Sequence, residues 1–193
     1  MTYAHDMPCK LTKGFCASSR CVFAISRFDR FNQSILRLYS CPGVSTVHGN
    51  ASLEKVTTNC LRVMRALNKT NIPVHAGLGR GLTRENISAT NIHGKSGLDG
   101  TILLPPLQLE DKPSGKKAVL AIAEEVLARP KGEVILVATG SMTNIAILVS
   151  LFPEVVDWIK ALVIMGGALC VGNVTSVAEF NIWVTLREAI INR

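Results

Sequence analysis

The sequence predicts an α/β fold with a mainly parallel sheet flanked by helices. Three observations carry that expectation. Residues 133–138 and 161–165 are short apolar runs, of the kind shown by parallel strands covered on both faces. Helix-length segments with apolar spacing follow the strand-like runs at βαβ lengths. The strand-like runs give way to glycine, at Gly49, Gly77, Gly140 and Gly166-Gly167.

The elements follow in order. Residues 1–40 show no sustained strand or helix period, only apolar pieces at 22–25 and 35–39, so no element is assigned there. The chain changes character near position 42, and an atypical segment 1–42 is set apart from a regular domain 43–193. Residues 44–47 are β-branched and read as a strand. Residues 52–67 place Leu53, Val56, Cys60, Val63, Met64 and Leu67 on one helical face, with Asn50 or Ser52 as a candidate cap. Residues 72–76 form the next strand. The stretch 77–115, rich in Gly, Pro, Asn and Thr, reads as a long loop of a functional or mobile kind. Residues 116–127 return to helix, with Val119, Ile122, Ala123 and Val126 as its apolar face. The strand at 133–138, helices at 143–152 and 155–159, and the strand at 161–165 complete the pattern.

Composition excludes several classes. Of the 193 residues 48% are hydrophobic and 18% charged, which argues against bulk disorder. No apolar run approaches the ~20 residues of a membrane span. No signal peptide is recognised, so a cytoplasmic location is expected and the five Asn-x-Ser/Thr sequons are expected to be chance matches. The six cysteines include no Cys-x-x-Cys pair and read as reduced thiols. The net charge is +7, and residues 1–40 hold six Lys/Arg against two Asp. These basic residues are scattered and aromatics are only 5%, so a solvated surface is expected rather than a nucleic-acid partner.

In parallel α/β sheets ligands bind beyond the carboxyl ends of the strands. Three segments fall there. Val47-His48-Gly49-Asn50 offers a sharp turn and an amide, though a turn with a helix cap is the plainer reading. Residues 137–144 run from a buried strand through Thr139-Gly140 to a helix N-terminus, without the further glycine and lysine of a phosphate loop. Residues 165–181 end a strand in Gly166-Gly167 and then present Asn173, Glu179 and Asn181. Two amides and a carboxylate supply the donors and acceptors that neighbouring sugar hydroxyls require.

Four stretches resemble the inosine-uridine preferring nucleoside hydrolases, in that family's order and near its spacing. They are Ser45-Thr46-Val47-His48-Gly49-Asn50, Ile92-His93-Gly94-Lys95-Ser96-Gly97-Leu98-Asp99-Gly100, residues 137–144, and residues 163–181 with Ile164-Met165-Gly166-Gly167 and Ala178-Glu179-Phe180-Asn181. The versions at 45–50 and 93–100 look eukaryotic, of a fungal kind. The resemblance implies a Rossmann-like nucleoside hydrolase fold and cleavage of ribonucleosides by water to ribose and free base. It implies a calcium ion on the ribose hydroxyls and an aspartate that takes the water's proton. By position, Asn173, Glu179 and Asn181 match the ribose readers and Met165 a residue near the sugar. Asn50 and His93 match pocket residues, and the Thr139 backbone carbonyl matches one calcium ligand. Homo-oligomers are usual in the family.

The sequence also departs from the family. The expected Asp-x-Asp-Pro-Gly-x-Asp-Asp cluster would fall within residues 1–40, where only Asp6 and Asp29 occur. The later His-Asp pair lies beyond Arg193, and the helix start after Asn181 is altered to Thr185-Leu186-Arg187-Glu188-Ala189. The fold is therefore expected to be incomplete at both ends, as in a truncated or mis-spliced member. No catalytic base is identified, calcium binding by this chain is in doubt, and activity is expected to be weak or absent. The alternative is a non-catalytic ribose or nucleoside binder. Purine or pyrimidine preference is not legible in these residues.

Overall fold

The computed structural model describes residues 21–26, 40–82, 88–98 and 103–185. Asp6, Asp29, Asp99, Gly100 and the altered positions after Thr185 lie outside the described residues. In chain order the elements are β1 (Cys21–Ser26), β2 (Ser40–Thr46), α1 (Leu53–Ala66), β3 (Val74–Ala76), α2 (Thr90–His93), α3 (Ala118–Leu127), β4 (Val134–Ala138), α4 (Thr143–Leu151), α5 (Glu154–Trp158), β5 (Ala161–Ile164) and α6 (Phe180–Trp183).

The five strands lie in the order β3-β2-β1-β4-β5. β3 runs parallel to β2 and β5 parallel to β4, whereas β1 is antiparallel to both of its neighbours. Four strands therefore point the same way, and the expected mainly parallel sheet is present. The correction concerns the N-terminal segment, to which no element was assigned: β1 occupies the centre of the sheet, with Phe23 opposite both Val44 and Val137. β2 also begins at Ser40, before the change of character near position 42. A four-residue apolar run does not distinguish helix from strand by period. Here the open ladders of β2 and β4 decide it.

Register assigns the faces. Ala24 pairs with Gly43 and with Leu136, so those two positions share a face, and Val44 and Val137 share the other. Val44 and Val74 pack with Cys60, Leu61 and Met64 of α1. On the opposite face Val134, Leu136 and Ala138 pack with Val119, Ile122 and Val126 of α3, Ile145 and Leu148 of α4, and Val155 of α5. The apolar face foreseen for α3 is buried in full. Ser52 occupies the N-cap position of α1, but no side-chain bond caps that helix, contrary to expectation.

The described parts of the long 77–115 stretch are tied to α1. Arg62 donates to the carbonyls of Leu104 (2.7 Å) and Pro105 (3.0 Å), and Arg65 pairs with Asp111 and with Glu110 (2.8 Å). Asn59 Nδ2 donates to the Ser96 carbonyl at 2.9 Å and Lys55 Nζ to the Lys95 carbonyl at 2.8 Å. The stretch is irregular because its backbone groups are met by side chains of α1 instead of a ladder.

β4 and β5 differ from the buried runs expected of them. β4 alternates buried and half-buried residues, and β5 lies at the sheet edge with Leu162 37% and Ile164 44% exposed. Met165, Leu169, Val171 and Val177, which follow in the chain, are exposed as well, an apolar strip in sequence. Strips of this kind promote association. Ile164→Lys is expected to lower binding of an apolar dye and raise soluble yield, with stability changed by about 0.5 kcal/mol or less. An unchanged dye signal would show that the strip is covered in solution. Among the described residues no helix is long and apolar enough to cross a membrane.

Candidate functional site

The carboxyl ends of β2, β3, β4 and β5 share one edge of the sheet, because among the described strands β1 alone is reversed. Each strand continues there into a loop, and polar contacts join the loops. Gly77 N–H donates to the Thr46 carbonyl (3.0 Å), His48 N–H to the Leu78 carbonyl (3.0 Å) and Met165 N–H to the Ala138 carbonyl (2.8 Å). Ser141 Oγ donates to the His48 carbonyl at 2.9 Å, and His48 Nε2 pairs with Thr143 Oγ1 at 3.1 Å. Asn144, at the start of α4, donates to the Thr46 carbonyl and accepts from Leu78 N–H, both at 3.0 Å.

The β5 loop returns to this edge through α6. Glu179 is its N-cap, and its carboxylate accepts from Asn181 N–H (3.0 Å), Ile182 N–H (3.2 Å) and, across the loop, Gly167 N–H (3.2 Å). Asn173 Oδ1 accepts from Phe180 N–H at 2.8 Å. Gly166 permits the approach, since a Cβ there would meet Glu179 Oε2 at 3.0 Å and Ile182 at 3.3 Å. Asn181 is fully buried. Its Nδ2 donates to the carbonyls of Met165 (2.7 Å) and Thr139 (3.3 Å), and its own carbonyl accepts from Thr185 Oγ1 (2.6 Å).

These contacts gather most of the residues singled out in the sequence. Asn181, Thr139, Met165 and Glu179 are within one hydrogen-bond network. Asn173 is exposed at its rim. His93 closes α2, whose preceding residue Ala89 packs against Phe180 and Val184. Gly97, with φ +75°, rests its backbone on Ala51, which places the 94–98 turn beside Asn50. Asn50 is buried and does not cap α1.

Three buried side-chain atoms lack a partner among the described residues: His48 Nδ1, Asn50 Oδ1 and Asn181 Oδ1. Two lie on the loop after β2 and the third in the first turn of α6. Two are amide oxygens, which accept and do not donate. Burying them unpaired costs about 1–3 kcal/mol each. Burial also holds the His48 ring below its ordinary value of 6.5, which makes it neutral near pH 7. The sequence did not single out His48, Ser141, Thr143 and Asn144 individually. The signal was available in polar residues opening an otherwise apolar helix.

The profile of the inosine-uridine preferring nucleoside hydrolases matches residues 35–185. The chain belongs to this family. Relatives named as nucleoside hydrolases match the chain, as does an uncharacterised protein. An inosine-uridine preferring nucleoside hydrolase of Leishmania major is 40% identical over 148 residues, covering 77% of this chain and 46% of the relative. An uncharacterised protein of Schizosaccharomyces pombe is 47% identical over 141 residues, covering 73% of this chain and 42% of the relative. A plant nucleoside hydrolase structure superposes with TM-score 0.69 at 30% identity, over 78% of this chain and 47% of that one. The chain thus spans less than half the length of these relatives.

The calcium ion implied by the resemblance does not fit the described residues. Calcium takes six to eight oxygens, with carboxylates prominent. No group of three His, Cys, Asp or Glu able to hold a metal occurs among the described residues. The Thr139 carbonyl accepts from Asn181, and both Glu179 oxygens accept backbone N–H groups.

Proposed function

We propose that this chain forms the ribose-gripping part of a ribonucleoside hydrolase and that by itself it binds ribose without family-like hydrolysis. The observation that carries this is the pair of buried, unpartnered amide oxygens on Asn50 and Asn181 at the strand-end edge. Sugar hydroxyls are donors of the right kind, and each can also accept. Asn181 is the principal contact in this proposal, with Asn50 across the edge and Met165 and His93 flanking. Asn173 and Glu179 act mainly by shaping the loop, since their side chains serve backbone N–H groups.

Hydrolysis needs a base to take a proton from water as the glycosidic bond breaks. Glu179 is the carboxylate in this network, and its oxygens serve backbone N–H groups at the start of α6 and at Gly167. That favours binding over turnover.

The test is calorimetric titration with ribose, inosine and uridine, with and without calcium, alongside a base-release assay. Millimolar ribose binding with negligible turnover is expected. Micromolar calcium affinity accompanied by rapid base release would overturn the doubt about activity. No ribose or nucleoside binding in any condition would overturn the ribose grip.

A further inference from the structure

Residue 48 ties three segments of the edge together. Its N–H reaches Leu78 in the β3 loop, its carbonyl receives Ser141 from the β4 loop, and its ring meets Thr143 at the start of α4. β1 separates β2 from β4 in the sheet. The Ser141 and Thr143 contacts therefore bridge past the central strand, joining loops whose own strands do not touch.

The residue is only 4% exposed, and its Nδ1 has no partner among the described residues. A buried imidazole with one nitrogen unpaired is a poor packing choice, because an apolar side chain would fill the space without the desolvation penalty. The bond to Thr143 explains the residue type better than packing does. Two residues further on, the same loop presents the unpartnered oxygen of Asn50.

We propose that His48 is a positioning residue for sugar recognition: its ring, held by Thr143, sets the Gly49–Ala51 turn against α4 so that the Asn50 amide is directed to a ribose hydroxyl. The inference rests on the ribose grip proposed above.

A charged ring is incompatible with this arrangement. If Nε2 accepts from Thr143, protonation removes the acceptor; if it already donates, the second proton adds an unpaired donor at buried Nδ1. His48 bonds to Leu78, Ser141 and Thr143, none of which carries a titratable side chain, and burial lowers the value of its ring. The sign follows. The unfolded chain takes up a proton near 6.5 and the folded chain only at lower pH, so the contribution is fully present above 6.5 and is lost as pH falls below it through the lower folded value.

The experiment measures ribose dissociation constants near pH 7.5 and 5.5 for the parent, His48→Ala and His48→Gln. Glutamine places an amide near the position of Nε2 and does not titrate. The parent is expected to weaken severalfold at the lower pH, His48→Ala to be about tenfold weaker at both, and His48→Gln to stay close to the parent at neutral pH without the acid loss. Parent-like affinity in His48→Ala, or a parental acid loss in His48→Gln, would overturn the proposal. If the parent binds no ribose, the ribose grip fails separately. The latch is then read from backbone amide resonances: Gly49, Asn50 and Ala51 shifting with Ser141 during a pH titration of the parent, and not of His48→Gln, supports it. Absence of that joint shift overturns it.

Discussion

Replacing Asn181 by aspartate is expected to destabilise the fold by about 3 kcal/mol near neutral pH and to abolish ribose binding. The side chain is fully buried, and its Nδ2 is the donor to the carbonyls of Met165 and Thr139. A carboxylate of the same shape would set an acceptor against those two acceptors and bury a charge without a counterion. The acid form can restore one donor, so burial raises the folded value of the new carboxyl above its unfolded value near 4. The stability deficit relative to the parent should therefore shrink as pH falls toward about 4 and be largest above about 6. Denaturant unfolding of both proteins at several pH values measures this difference directly. An Asn181→Asp protein as stable as the parent at neutral pH would show that the amide does not bridge the two strand ends.

The second large effect is expected at Gly77. A Cβ at this position would overlap the Asn144 amide and the Thr46 carbonyl. Gly77→Ala should therefore cost more than about 3 kcal/mol and leave little folded protein. Asn144→Ala alone should cost about 2–4 kcal/mol, because it leaves the Thr46 carbonyl and Leu78 N–H without their buried partner. Combining the two should not restore the parent, since the Thr46 carbonyl stays in the way of the new methyl. Circular dichroism melts of the three variants decide the point, and a well-folded Gly77→Ala would mean that β2 and β3 separate more readily than their contacts indicate.

Asn144 and Asn181 have a common role that is independent of catalysis. Each is an amide that fastens one strand-end loop to another, Asn144 between β2 and the β3 loop and Asn181 between the β4 and β5 loops. Glu179 and Asn173 do the same for α6 within a single loop. The polar residues at this edge thus first hold the loops in place. The Oδ1 atoms of Asn50 and Asn181 have no partner among the described residues, and the proposed ribose grip assigns them to sugar hydroxyls.

By itself the sequence determined the order of strands and helices from β2 to β5 apart from the short α2, which falls in the stretch read as a loop, the buried face of α3, and the family, whose profile matches residues 35–185. These properties are encoded locally, in apolar spacing, glycine stops and contiguous motifs. It also grouped Asn173, Glu179 and Asn181, which are close in the chain. Tertiary structure alone decided that Cys21–Ser26 is the central strand and runs against its neighbours, because a short apolar run acquires a direction only from the ladders beside it. It decided that β5 is an exposed edge, since apolar composition indicates a preference for burial and not the presence of a covering layer. It also decided that Glu179 serves backbone N–H groups and that His48 reaches Thr143. A side chain's hydrogen-bond partner is set by which segments meet in space, and His48 and Thr143 are 95 positions apart in the chain.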